Sequence, residues 1–138
     1  MGIESLMKIG IATRDLDRTA ALLGDVLGVV PGEAYPAPAS DMKFRLLTLG
    51  DFYIEVMEPL GPSGPIARFI EEHGEGLQHM TLKVSDVDQA MAELKARGAR
   101  FTSSSPVRLK SVLGLMKFVF LNPRGSNGVL IQLMQLDG

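Results

Sequence analysis

Cysteine is absent from this chain, so it can hold no disulfide, thiol nucleophile or thiolate metal site. A basic excess is missing too: fourteen Lys and Arg stand against sixteen Asp and Glu, a formal net charge of −2. That balance provides no electrostatic footprint for nucleic acid or for an anionic membrane surface. No run approaches the roughly 18 consecutive apolar residues that a membrane span requires. The opening Met1-Gly2-Ile3-Glu4-Ser5 lacks the cationic start and apolar stretch of a secretory leader, so a cytoplasmic protein is expected. What remains is a chain of 138 residues, 46% apolar and 22% charged, which suits one soluble domain with a sizeable core.

The most informative feature is an internal repeat. Residues 6–17, LMKIGIATRDLD, lie over residues 77–88, LQHMTLKVSDVD, so that Lys8 matches His79 at an offset of 71. Met42-Lys43-Phe44 recurs as Met116-Lys117-Phe118, at an offset of 74. Ile54-Glu55-Val56-Met57-Glu58 matches Ile131-Gln132-Leu133-Met134-Gln135, at an offset of 77. The offset grows by a few residues each time, as insertions in loops would make it. One such match would arise by chance in any apolar strand; three in the same order do not.

Each half reads as a strand, a helix and further strands. Ile9, Ile11 and Thr13 alternate with Lys8, Gly10 and Ala12, and Met80, Leu82 and Val84 alternate with His79, Thr81 and Lys83. Helices are predicted over about 15–27 and 86–97, with Asp15 and the Ser85-Asp86-Val87-Asp88 box as starts and Gly28 and Gly98 as stops. Val87, Met91 and Leu94 form the buried stripe of the second helix. Strands are expected near 42–50, 52–58, 116–122 and 128–135, with a short one at 100–104. Residues 32–40 read as a loop, because Pro36 and Pro38 cannot donate to a central ladder. Pro65 to His73 fits a connecting helix closed by Gly74.

The expected fold is α+β: two βαβββ modules paired by pseudo-twofold symmetry into one cleft-forming curved sheet. Module one would cover about residues 5–60, the connecting helix 64–74 and module two 76–136, all within a single domain 1–138. Such symmetry would bring four isolated polar residues of apolar strands, Lys8, Glu55, His79 and Gln132, to one pocket for a small-molecule ligand. An unpaired charge in such a run would cost several kcal/mol. Lys8 therefore reads either as an edge lysine reaching solvent or as an internal cation paired with Glu55. His79 leans towards the pocket, whereas His73 is read as a surface or capping residue.

Repeated strand–helix–strand modules with a polar residue on the first and last strand of each resemble the vicinal oxygen chelate superfamily. Within it, Glu55 to Pro62, Pro65 to Ile70, Gly74 to Met80 and Gly128 to Leu133 are most similar to the methylmalonyl-CoA epimerases. The resemblance implies a homodimer and a divalent metal held at the four pocket positions. It also implies His on the first strand of each half, Glu or Gln on the last strand of the first, and Glu on the last strand of the second. This chain keeps Glu55 and His79 but has Lys8 and Gln132 at the other two. A metal on Glu55, His79 and Gln132 is opposed by Lys8, since an ammonium has three donors and no acceptor. The family's proton-shuttling base falls near Phe44, a hydrocarbon, and its second base at Gln132.

These readings make Glu55, Lys8 and His79 the candidate catalytic groups, and Gln132, Met57 and Met134 the candidate substrate contacts. The expected activity is that of an epimerase-like or glyoxalase-like isomerase or lyase on a small carbonyl acid or its thioester. The alternative is a metal-free small-molecule binding protein of the same fold. Arg108 and Lys110 would either meet a ligand phosphate or belong to a solvated loop.

Overall fold

The computed structural model describes residues 2–137 and divides them into two compact units. Lys8–Gln78 form the first; residues up to Met7 join those from His79 onward in the second. The order is β1 (Ile3–Ala12), α1 (Leu16–Leu27), β2 (Tyr35–Ala37), β3 (Met42–Leu49), β4 (Phe52–Pro59), α2 (Pro65–His73), β5 (Gly76–Val84), α3 (Val87–Ala96), β6 (Val107–Ser111), β7 (Gly114–Phe120) and β8 (Ile131–Asp137). Each half thus follows βαβββ, and the fold is mixed α+β. Among the described residues, no helix is long and apolar enough to cross a membrane.

In the first unit the strands run β2-β3-β4-β1, with β1 parallel to β4 and the other pairs antiparallel. Strand alternation sorts the side chains into two faces. One face sends Leu47, Ile54 and Val56 against Leu16 and Ala20 of α1, all at most 6% exposed. The other sends Ala12, Phe44 and Met57 against Ile66 and Ile70 of α2. Full burial of each larger side chain contributes roughly 1.5–3 kcal/mol.

The second unit repeats this logic with β5-β8-β7-β6. Val84, Val119 and Leu133 pack on Val87, Ala90 and Met91 of α3. The first residues of β1 also belong here: Gly2 accepts a hydrogen bond from the Ser85 backbone N–H at 3.0 Å.

Pairing registers reproduce the repeat. Gly10 lies opposite Glu55, and Thr81 lies opposite Gln132. Leu46 lies opposite Glu55, and Phe120 opposite Gln132. These are the offsets of 71, 74 and 77 read from the sequence. Helix starts repeat as well: Asp15 accepts from Arg18 N–H and Asp86 from Gln89 N–H, each at 3.1 Å.

Five expectations need correction. Residues 32–40 are not wholly loop: β2 carries Pro36 at the edge of its sheet, where no partner needs the missing N–H. The segment 100–104 is no strand; only Phe101 bridges, to Leu121. The outer strand is instead β6, whose exposed Arg108 and Lys110 make a paired edge rather than a loop. The second helix is capped by Asp86, one residue beyond the expected Ser85, and β8 begins at Ile131 because Asn127 and Gly128 turn with positive φ.

Candidate functional site

Lys8 and Glu55 come together within the first unit. Their strands are parallel neighbours, and Gly10, two residues beyond Lys8 on the same face, is the register partner of Glu55. Gly10 brings no side chain to cover the carboxylate. Lys8 Nζ donates to Glu55 Oε1 at 2.9 Å, and the side chains are 7% and 5% exposed. The edge-lysine reading of Lys8 is thereby replaced by the internal ion pair. Phe44 and Met57 follow on the same face, where both are buried against α2. Met57 is thus held in a core cluster.

Equivalent positions in the second unit carry different chemistry. Thr81 occupies the place of Gly10, and its hydroxyl donates to Gln132 Oε1 at 2.6 Å. Both residues are buried, at 0% and 5% exposure. His79 stands two residues before Thr81 on the same strand face, edge-on to Phe120 with ring centroids 6.1 Å apart. Met134, fully buried, lies opposite Phe118 and shares the face of Gln132. His73 is exposed and stacks on Phe69 with centroids 4.9 Å apart, in keeping with a surface role.

Thr81 is the residue that sequence reasoning missed. A threonine in an alternating strand looks like ordinary β-propensity. The available signal was its place two residues from His79, on the same face, with the repeat aligning it to Gly10.

Of the four positions where the resemblance implies metal ligands, two carry an ammonium, Lys8, and an amide, Gln132. Glu55 Oε1 is already bonded by an ammonium, and Gln132 Oε1 by a hydroxyl. A cation on the carboxylate repels a second cation, and the amide brings no charge to offset it. Among the described residues, no three His, Asp or Glu side chains are grouped to hold a metal ion.

Duplicated βαβββ units, each with its polar pair on the first and last strands, define the vicinal oxygen chelate class. The profile of the glyoxalase/bleomycin resistance protein/dioxygenase superfamily matches residues 7–120, and the chain belongs to that superfamily. Its relatives include the ethylmalonyl-CoA/methylmalonyl-CoA epimerase of Cereibacter sphaeroides, 33% identical over 97% of this chain and 99% of that protein. The mitochondrial methylmalonyl-CoA epimerase of Homo sapiens is 30% identical over 94% of this chain and 73% of its own length. The crystal structure of methylmalonyl-CoA epimerase from Mycobacterium tuberculosis superposes with a TM-score of 0.89 at 28% identity, covering 99% of this chain and 90% of that one.

Proposed function

We propose that the chain is an isomerase- or lyase-type enzyme for a small carbonyl acid or its thioester, with the Lys8 ammonium serving where the family resemblance implies a metal ion. The observation that carries this reading is the buried Lys8–Glu55 pair at 2.9 Å. Glu55 is the carboxylate of that pair and the candidate proton acceptor. Glu55 takes the proton α to the carbonyl, the C–H electron pair moves into the enolate, and the Lys8 charge offsets the developing negative charge. Returning the proton to carbon completes the step, with no redox change. His79 is the second candidate proton carrier. The CoA thioesters acted on by the epimerase relatives support a thioester as the substrate. A cytoplasmic homodimer belongs to the same proposal and rests on the family resemblance.

The test is exchange of the α-proton of methylmalonyl-CoA in deuterium oxide, followed by proton NMR. Wild-type protein is expected to catalyse exchange, and Glu55→Gln and Lys8→Met each to slow it by about 100-fold or more. Absence of exchange with wild type, or unchanged exchange in both variants, rejects the reading.

A second reading, a metal-free binding protein, is favoured by Phe44 and Gln132. Neither accepts a proton at the positions where the resemblance puts the epimerase bases. Thermal stabilisation by methylmalonyl-CoA without any exchange would select it.

A further inference from the structure

Helix α1 carries an apolar stripe on the side turned away from its core. Leu16, Ala20 and Gly24 are buried, whereas Leu22 and Val26, one turn apart, are 60% and 73% exposed. Ala21 is exposed beside them, and Val30, just past the helix, is 89% exposed. Single exposed apolar side chains are common, but several gathered on one surface mark a contact site.

The repeat supplies an internal comparison. With Asp15 and Asp86 as matched caps, Leu22 and Val26 lie over Glu93 and Arg97 in the second half. The buried positions agree, Leu16 with Val87 and Ala20 with Met91, so each helix turns the same side to its own sheet. The outer side of α3 is polar, and there Gln89 donates to Glu93 Oε1 at 3.2 Å. An apolar outer side is therefore no requirement of the fold.

Two charges on the α1 stripe select its occupant. Arg18 and Asp25 are exposed, and neither has an ion-pair partner among the described residues. Asp17, by contrast, is held by Arg45 at 3.0 Å. Two helical turns, about 10 Å, separate Arg18 from Asp25, too far for them to pair with each other. Suppose two α1 helices cross antiparallel about an axis between Ala21 and Leu22. Arg18 of each copy then meets Asp25 of the other, the self-complementarity that a two-fold contact demands. Ala21, at the crossing, is small enough for close approach.

We infer that the outer face of α1 binds α1 of a second copy, antiparallel, with two Arg18–Asp25 ion pairs flanking an apolar contact of Leu22 and Val26. The inference rests on the homodimer of the reading above, to which it gives a surface, and uses none of its proton chemistry.

Sedimentation equilibrium on the full chain is the test, and wild type is expected to be a dimer. Arg18→Asp and Asp25→Arg should each raise the dimer dissociation constant by about 100-fold or more, because each sets two like-charge pairs at the contact. An equimolar mixture of these two variants should regain a dimer of wild-type affinity, since the acids of one then face the arginines of the other. A misfolded variant would not recover on mixing. Leu22→Glu should leave a monomer.

Unchanged association in either charge variant overturns the inference, as do variants that stay apart when mixed. A dimer insensitive to these substitutions rejects this face and keeps the homodimer; a monomeric wild type rejects both. Exchange of the substrate α-proton tests the enzyme reading separately.

Discussion

Glu58 accepts a hydrogen bond from the Leu16 backbone N–H at 2.9 Å, tying the end of β4 to the first turn of α1. Gln135 does the same for Val87 at the start of α3, also at 2.9 Å. Helix N-termini leave backbone N–H groups without partners, and each unit fills one from its last strand. The acid favours the positive end of the helix dipole, and the amide matches its geometry without the charge. Glu58→Ala is expected to lose roughly 1–2 kcal/mol and Gln135→Ala about 1 kcal/mol, read from urea denaturation. Equal stability of both variants and wild type would show the two bonds to be incidental.

Removing one member of the Lys8–Glu55 pair deprives a buried charge of its 2.9 Å ion-pair partner. Lys8→Met or Glu55→Leu alone should cost about 3–5 kcal/mol. Together they should cost much less than the sum, because the apolar pair leaves no charge behind. Chemical denaturation of the two single variants and the double variant measures the coupling directly.

Gly24, in α1, sits where a Cβ would lie 2.6 Å from the Val29 carbonyl oxygen and 3.0 Å from Pro31 Cδ. The chain leaving the helix folds back over this residue, held by the Val29 N–H bond to Gly24 O at 2.9 Å. Alanine is ordinarily the better helix former, yet Gly24→Ala should destabilise by about 1–3 kcal/mol through overpacking. A thermal scan that shows a gain would mean that the 29–31 turn yields easily.

Much of the fold was legible because its units repeat. Offsets of 71, 74 and 77 identified equivalent positions of the two units, and the registers of Gly10 with Glu55 and Thr81 with Gln132 fall at such equivalent positions. The caps at Asp15, Gly28 and Gly74 were legible from local chemistry alone. Edges were not. Pro36 argues against a central strand but is harmless at an edge, and sequence does not state which strand is outermost. Arg108 and Lys110 fooled the reading for the same reason, since an edge strand with exposed charges has the composition of a loop. Lys8, Glu55, His79 and Gln132 were visible as polar residues in apolar strands. Thr81 was hidden because its partner lies 51 residues away and only the parallel register joins them.

The central claim is that the lysine charge occupies the role of a metal ion at Glu55, and a metal titration addresses it without knowledge of the substrate. Metal-stripped wild-type protein should be titrated with cobalt(II) and followed by visible absorption and elemental analysis after dialysis. The account predicts no stoichiometric cobalt and no ligand-field band. One tightly held equivalent that disappears in Glu55→Ala would contradict it, because the carboxylate would then serve a metal ion and not the lysine ammonium.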